Sequence, residues 1–319
     1  MKIRRFREED LPRRVEIANA CYPDWPEGVE NARHKRDLLP VEDYRQEFVA
    51  LEGAEVTGFG RLESLGHYCA EPGAFELEAA VHPERRGKGR GRALLDLLLR
   101  HLDYLDWRKV LSGCPDEGGP GWGMLERRGF VHETTYICSK LELDNYRPPA
   151  DRDAVMARFH ERGYAMTTYG ALDDPDKERK LWELYEEVNR DMPGPVEYKM
   201  AGLAEWRKRM ASPAHRLDEV LLALAGDEPV GLTELCFPSG PDGPAVIENT
   251  GTRRDHRGRG VATALKYASV ERALAAGVIS IITGNEKDNG AILKIIGKLG
   301  FRPTVPWLSY TRRRPDGPA

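Results

Sequence analysis

The sequence lacks the features that mark several common classes of protein. No apolar run approaches the ~18 residues that a membrane-spanning helix needs, and no apolar segment follows residues 1–10 as it would in a signal peptide. The 48 basic and 52 acidic residues are interspersed, which leaves a net charge of −4 and no basic block. We therefore expect a cytoplasmic protein that has neither a membrane nor a nucleic acid as its partner.

Cysteine and histidine are also too sparse and too scattered to indicate a metal centre. The cysteines are five, an odd number, and they show neither the paired spacing of a zinc site nor the density of a disulfide scaffold. The eight histidines show no pairing either. The sequence predicts buried or incidental thiols and no metal.

Two glycine-rich stretches stand out against this background. In residues 80–97 and again in residues 251–266, an extended apolar run ends at a basic turn, and a segment rich in Ala and Leu follows. The turns, residues 86–91 and 257–262, share the form Arg-x-x-Gly-x-Gly/Ala. Small residues at a helix start leave its N–H groups bare, and the helix dipole adds positive potential there. Each stretch is therefore predicted to cradle a pyrophosphate.

The details of the two turns exclude the most familiar phosphate-binding loops. Neither turn ends in the Lys-Ser/Thr of a P-loop. The third glycine of the dinucleotide fingerprint is replaced by Arg92 in one copy and Thr263 in the other. The form that fits resembles the acyl-coenzyme A loop of the GNAT N-acetyltransferases. For one copy alone, an ordinary surface turn before a helix is the alternative.

The spacing of other motifs supports the resemblance. A Gly-Phe pair follows the loop arginine by 43 residues in both copies, at Gly129 and Gly300, and resembles the last helix-to-strand turn of GNAT domains. Gly58 and Gly231 precede the loop arginines by 28 and 26 residues and match the central hairpin of that family. The chain thus resembles two copies of one domain offset by 171 residues.

This resemblance implies an α/β (α+β) fold with a mixed sheet: two tandem GNAT-like domains, each a mostly antiparallel twisted sheet flanked by helices. A length of 319 residues suits two domains. The expected boundaries are residues 1–145 for the first domain, 146–163 for a proline-rich linker and bridging helix, and 164–319 for the second.

The resemblance also implies acetyl-CoA (coenzyme A) as cofactor and a set of residues that hold it. The expected set in the first domain is Val81, Arg86, Gly87, Lys88, Gly89, Arg90 and Gly91. The expected set in the second domain is Thr252, Arg257, Gly258, Arg259, Gly260, Val261, Ala262, Asn285 and Asn289.

Transfer of an acetyl group to an amine also requires a group that removes a proton, which a carboxylate can do directly or through water. Candidates in the second domain are Glu234 and Glu248, with Asn249 beside them, and candidates in the first are Glu76 and Glu78. Strand alternation predicts that Glu234 shares a face with Leu232 and opposes Thr233 and Leu235. Its position is similar to that of the base of mycothiol synthase, a tandem member of the family. The alternative is a strand residue that faces solvent.

The two copies differ in residues that the family often uses. Asn285 and Asn289, which would contact the pantetheine arm, correspond to Cys114 and Gly118 in the first domain. Simple capping of the following helix is the alternative role for these asparagines. The tyrosine that often protonates the leaving thiolate is replaced by Leu125 and Ile296. The second domain is therefore expected to catalyse, while the first binds coenzyme A and supports the fold.

The predicted function is an acetyl-CoA-dependent N-acetyltransferase that acts on a primary amine of a small molecule by direct attack on the thioester. Residues 191–198, with Glu197, resemble a loop at the acceptor mouth of tandem relatives, although a structural loop is the alternative. Two fused copies indicate a monomer or a weak homodimer. The other functions considered are a non-catalytic acyl-CoA-binding scaffold protein and, more narrowly, a mycothiol synthase-like enzyme.

Overall fold

The computed structural model describes residues 2–40, 43–116 and 121–315. In these residues no helix is both long enough and apolar enough to cross a membrane. Gly118 lies outside the described ranges, so its comparison with Asn289 stays a prediction.

Strands and helices alternate along the chain. The strands are β1 (Lys2–Arg5), β2 (Arg45–Glu52), β3 (Glu55–Ser64), β4 (Ala74–Val81), β5 (Lys109–Pro115), β6 (Val131–Glu142), β7 (Tyr164–Thr168), β8 (Leu221–Ala225), β9 (Glu228–Cys236), β10 (Ala245–Thr252), β11 (Ser280–Glu286), β12 (Arg302–Pro303) and β13 (Trp307–Arg313). The helices are α1 (Leu11–Cys21), α2 (Val29–Asp37), α3 (Arg90–Leu102), α4 (Gly121–Glu126), α5 (Arg152–Glu161), α6 (Lys177–Arg190), α7 (Leu203–Met210), α8 (Val261–Ala275) and α9 (Gly290–Lys298).

The chain divides into two compact units, neither of which is one continuous segment. Unit 1 consists of Met1–Tyr136, Gly194–Lys199 and Val305–Ala319, and unit 2 consists of Ile137–Pro193 and Met200–Thr304. The expected linker and bridging helix, residues 146–163, lie in unit 2. The last strand, β13, which was expected in the second domain, lies in unit 1.

The sheet of unit 1 is mostly antiparallel. Its strands follow the order β1-β2-β3-β4-β5-β13 and end with the first half of β6, and only β4 and β5 are parallel. Leucines of α3 recur at helical spacing and pack against one face, where they contact Leu62 and Leu77. Ile17 of α1 packs on the other face with Phe59. The unit is therefore a sheet with helices on both faces.

Unit 2 has the same design. Its sheet runs from the second half of β6 through β11, β10, β9 and β8 to β7, and β10 and β11 are its parallel pair. Leu265 of α8 packs on one face against Val230. Leu184 of α6 and Trp206 of α7 pack on the other face against Leu232. The structure confirms the mixed, mostly antiparallel sheets flanked by helices.

Candidate functional site

Each unit has a glycine turn at the start of the helix that follows its fourth strand. Gly89 precedes α3 with φ 75°, and Gly260 precedes α8 with φ 85°. Gly87 and Gly258, two residues earlier, also have positive φ values of 83° and 71°. Only glycine adopts such angles without strain, so the repeated glycines are explained by the backbone. The alternating conformation directs successive N–H groups to one side, as in an anion-binding nest.

Both turns leave open space beside the backbone. A Cβ atom added at Gly87, Gly89 or Gly258 would meet no atom within 4 Å. At Gly260 the nearest atom would be the guanidinium Nη1 of Arg162, at 3.9 Å. A ligand can therefore approach the main chain closely. The Thr252 hydroxyl is buried and has no hydrogen-bond partner, which also suits a site built for a polar ligand.

The loop arginines adopt the same conformation in the two units. The Nε of Arg86 donates to the Val81 carbonyl at 3.2 Å, and that of Arg257 donates to the Thr252 carbonyl at 3.1 Å. In unit 2 the Arg257 guanidinium also pairs with the Asp191 carboxylate. Each arginine therefore ties its turn to the end of the preceding strand.

In the turn of unit 1, two other basic side chains are paired with groups of the protein. Arg90 is only 5 % exposed, and its guanidinium bonds the Arg85 carbonyl at 2.8 Å and the Glu52 carboxylate at 2.9 Å. Lys88 pairs with the same Glu52 at 3.1 Å. The side chain of Val261 is buried in the core below α8. Arg90 and Val261 can therefore contribute only their backbone N–H groups.

In each unit the parallel strands beside the turn diverge. The pairing of β4 with β5 covers only Ala74–Glu76 on β4, and the pairing of β10 with β11 covers only Ala245 and Val246 on β10. Beyond these residues the strands separate and leave unpaired edge groups. A long, thin ligand can enter such a gap and hydrogen-bond the strand edges.

In unit 1 a cavity of about 330 Å³ occupies this gap. It is lined by the turn residues Arg86, Gly87 and Gly89, by Ser112 and Cys114 of β5, and by residues of α1 and α4. Its size lies in the range of small-molecule sites. The turn and the gap thus form one continuous site that fits a phosphate at one end and a slender arm at the other.

In unit 2 the fourth strand contains a bulge that unit 1 lacks. Between Ile247 and Thr250 of β10, two residues, Glu248 and Asn249, lie opposite the single residue Glu234 of β9. The corresponding pairing of β3 with β4 runs from Gly58 to Ser64 without a shift. A bulge leaves backbone groups unpaired and re-aims side chains. N–H groups at this position can polarise a carbonyl group that lies in the gap.

Glu234 lies at the centre of a buried hydrogen-bond network opposite this bulge. It is fully buried. The Tyr185 hydroxyl donates to Oε2 at 2.6 Å, and the His215 Nδ1 lies 2.5 Å from Oε1. The Asn249 side chain lies near enough to favour the ionised carboxylate as well. Tyr185 bonds Glu234 and also packs with Leu232, so the two strand residues lie on the same face, as predicted. Because Glu234 is buried, the alternative of a strand residue that faces solvent is wrong.

These contacts decide the charge of the carboxyl group. Burial opposes ionisation of Glu234, but hydrogen bonding and charge from His215, together with Tyr185 and Asn249, outweigh it and lower its pKa below the usual value. Burial and the neighbouring carboxylate raise the pKa of Tyr185 well above its usual value, so the phenol remains a donor. Glu234 is therefore a buried carboxylate held by donors on both oxygens.

Unit 1 carries the opposite charge at the matching position. Gly58 of β3 pairs with Val81 at the end of β4, and Gly231 of β9 pairs with Thr252 at the end of β10, so the two glycines occupy equivalent positions. The third residue after the glycine is Arg61 in unit 1 and Glu234 in unit 2. The Arg61 guanidinium pairs with three carboxylates, those of Glu63 at 2.5 Å, Glu76 at 2.8 Å and Glu78 at 3.4 Å. The first-domain candidates Glu76 and Glu78 are thus held in an ion-pair cluster, and burial raises the pKa of Glu76.

The remaining candidates lie around the same gap in unit 2. Glu248 is exposed on the bulge. Asn289 caps α9, where its Oδ1 accepts from the Ile292 N–H at 3.4 Å, and Asn285 donates to the Thr283 hydroxyl at 3.3 Å. Leu125 and Ile296, which replace the family's tyrosine, are both buried in cores. Neither position supplies an acid.

The five cysteines are free, and four of them are buried, which confirms the prediction for the thiols. Cys236 lies 3.3 Å from the His215 Nδ1, so that His215, Glu234 and Cys236 form a compact group. Sequence reasoning missed His215 and Tyr185 as members of this group. Neither lies near Glu234 in sequence, and a lone histidine before β8 carries no local motif that would have revealed it.

Comparisons with known proteins agree with this geometry. The model of the Acetyltransferase (GNAT) family matches residues 11–130 and again residues 181–301. A mycothiol acetyltransferase of Parafrankia sp. (strain EAN1pec) is 24 % identical over 294 residues, which are 86 % of this chain and 85 % of that protein.

Two solved structures share the fold over the whole chain. A tandem GNAT protein from the clavulanic acid biosynthesis pathway superposes with a TM-score of 0.71 at 20 % identity and covers 100 % of this chain and 99 % of its own. A GCN5-related N-acetyltransferase from Sphaerobacter thermophilus superposes with a TM-score of 0.68 at 20 % identity and covers 100 % and 97 %.

Two glycine turns, each beside diverging parallel strands, define a tandem acyltransferase fold. The chain belongs to the Acetyltransferase (GNAT) family, whose members generally use acetyl-CoA as acetyl donor, and it is an N-acetyltransferase.

Proposed function

We propose that unit 2 transfers the acetyl group of acetyl-CoA to a primary amine of a small molecule, and that unit 1 binds coenzyme A without catalysing. The observation that carries this proposal is the contrast at one strand position. Glu234 of unit 2 is a buried carboxylate beside a bulge, whereas Arg61 of unit 1 is an arginine beside a regular strand. A permanently charged guanidinium cannot accept a proton.

The residues of unit 2 suit the three requirements of acetyl transfer. The N–H groups of the Arg257–Gly260 turn and the start of α8 would hold the pyrophosphate, with Thr252 beside them. Backbone N–H groups at the bulge would polarise the thioester carbonyl. Glu234 would draw the amine proton inward, directly or through its partners.

Other candidate residues of the sequence analysis have supporting roles in this proposal. The exposed Glu248 would attract a cationic amine to the gap before it is deprotonated. Asn285 and Asn289, at the end of β11 and the start of α9, lie where the pantetheine arm is expected. In unit 1, the cavity of about 330 Å³ and the open turn support binding of a second coenzyme A molecule.

Steady-state turnover of acetyl-CoA with a panel of aliphatic amines, amino sugars and amino-acid esters tests the proposal. Glu234→Gln preserves the shape of the side chain but removes its charge, and kcat should fall by about 10²–10⁴-fold. Glu248→Gln should instead raise the KM for the amine and leave kcat nearly unchanged. Saturable acetyl-CoA binding with no turnover on any amine would favour a scaffold protein.

A narrower candidate is acetylation of the cysteinyl amine of the mycothiol precursor. It is favoured by the likeness to the mycothiol acetyltransferase of Parafrankia and by a carboxylate at Glu234. Efficient turnover of that precursor, with kcat/KM well above the values for the other amines in the panel, is the expected result. No turnover of the precursor by an enzyme that acetylates another amine would eliminate this candidate.

A further inference from the structure

Both oxygens of the Glu234 carboxylate already accept hydrogen bonds inside the protein, and burial closes the side chain to direct approach. The Tyr185 hydroxyl binds Oε2 at 2.6 Å, His215 binds Oε1 at 2.5 Å, and the side chain is only 1 % exposed. An amine that loses a proton to this network must therefore reach it through one of the partners of Glu234.

Among those partners, His215 is the one whose side chain is both partly exposed and able to take up a proton. Its side chain is 13 % exposed, whereas Tyr185 is fully buried. The Tyr185 phenol is a donor held in its neutral form, and the Asn249 amide does not titrate. An imidazole can accept a proton at one ring nitrogen while the other remains bonded to a carboxylate.

The contacts of His215 also determine which nitrogen carries the hydrogen. Oε1 belongs to an ionised carboxylate and can only accept, so Nδ1 must be the donor. The neutral ring then presents Nε2 as an unprotonated base, while Glu234 fixes its orientation and stabilises the imidazolium that forms.

The backbone holds the imidazole in this position. The His215 N–H donates to the Ser212 carbonyl at 3.0 Å, and the N–H of Phe237, the residue after β9, donates to the Ala214 carbonyl at 2.8 Å. His215 and Cys236 form an isolated antiparallel bridge at the end of β9. The ring is thus held beside β9, the strand that carries Glu234.

We propose that His215 is the catalytic base of unit 2, that Glu234 and Tyr185 position it, and that the same imidazole returns the proton to the leaving thiolate. This inference rests on the proposed function. As the amine nitrogen bonds to the acetyl carbon, its proton passes to Nε2. The carbon–sulfur bond then breaks, and the imidazolium protonates the sulfur, so that the amide and the free thiol of coenzyme A are the products.

The second role supplies an acid where the family's usual tyrosine is missing. Leu125 and Ile296 stand at its position, and neither side chain carries a proton that it can donate. One imidazole that alternates between base and acid removes the need for a separate group.

The decisive variant is His215→Asn, whose amide can still donate to Glu234 but cannot take up a proton. We expect kcat to fall by about 10²–10⁴-fold with the KM for acetyl-CoA unchanged, and the acidic limb of the kcat/KM profile to disappear. His132→Asn, at an exposed histidine of unit 1, is the matched control and should leave the rate unchanged.

The pH profile depends on the ionisable groups around the ring. These are Glu234 and Cys236 of β9, Tyr185 of α6 and Arg209 of α7, whose charge acts on Tyr185. The imidazole remains in Glu234→Gln, so an acidic limb should persist in the profile of that variant. If Glu234 itself were the base, that limb would vanish in Glu234→Gln and persist in His215→Asn.

A second measurement does not depend on turnover. Nitrogen-15 NMR of the histidine rings should show His215 protonated at Nδ1, with a downfield proton resonance that is lost in Glu234→Gln. Protonation at Nε2 in the neutral ring, or a His215→Asn rate within threefold of the wild type, would overturn the assignment. A wild type that acetylates no amine would instead refute the proposed function, while the NMR spectrum would still test the pairing of His215 with Glu234.

Discussion

Lys266 shows at the scale of one residue how burial alone changes a side chain's chemistry. It lies on α8 and is only 2 % exposed, and burial lowers the pKa of its ammonium group to about 7. The unfolded chain keeps this lysine protonated up to about pH 10.4. Between pH 7 and 10 the unfolded state therefore binds one more proton, so the free energy of unfolding rises with pH.

Lys266→Met should remove this pH dependence because methionine fills the same space without a charge. Wild-type stability should increase by about 2–3 kcal/mol from pH 7 to pH 9, whereas the variant should be more stable at pH 7 and nearly constant over that range. Urea unfolding at the two pH values measures both. Lys294→Met, at an exposed lysine of α9, is the matched control, and an equal response of the two variants would contradict the buried-lysine account.

The residues of the candidate site were predictable only in part. The periodicity of β9 was enough to place Glu234 on the same face as Leu232, because alternation depends on neighbours in sequence. His215 and Tyr185 were not predictable, since each reaches the carboxylate from a segment whose position depends on the folded sheet. The conformations of Arg86 and Arg257 likewise follow from strand ends that a motif does not describe.

At the scale of the secondary-structure elements, the last strand has the most unexpected position. β13 lies in unit 1, where it pairs with β5 along its full length from Trp307 to Arg313. The second half of β6 lies in unit 2. Both strands follow a Gly-Phe turn and have similar patterns, so the sequence offers no signal to distinguish their partners. We propose domain limits that follow the compact units and not the continuous ranges 1–145 and 164–319.

A pair of core substitutions tests these limits. Tyr310 of β13 packs with Leu94 and Leu98 of α3, whereas Leu141 of β6 packs with Tyr267 and Val270 of α8. Tyr310→Ala should speed amide hydrogen exchange in α3, and Leu141→Ala should speed it in α8, each with a loss of about 2–5 kcal/mol. Each variant is the control for the other, and the reverse pattern would support domains that are continuous in sequence.

The bulge in β10 was not predicted from the sequence, and no motif marks its position in either copy. The structure locates the extra residue at Glu248 and Asn249, while β4 stays regular. Because a bulge is set by pairing with the neighbouring strand, residue identity alone does not reveal it.

At the scale of the whole molecule, the offset of 171 residues predicted two related units, and the structure and the family matches confirm them. The repeat was visible because glycines at positive φ and the Gly-Phe turns are required by the backbone in both copies. The division of labour between the units is the proposal that remains to be tested. It depends on side chains that have diverged, above all Arg61 and Glu234.

The measurement that tests this division most directly is acetyl-CoA turnover by two matched variants, Gly89→Glu and Gly260→Glu. Each places a carboxylate at the first residue before a helix, at φ angles of 75° and 85°, and should exclude a phosphate from its own turn by bulk and charge. We predict that Gly260→Glu abolishes turnover, whereas Gly89→Glu keeps most of it and loses only one of two binding sites seen by calorimetry. Turnover that survives Gly260→Glu and is lost in Gly89→Glu would contradict the account and assign catalysis to unit 1.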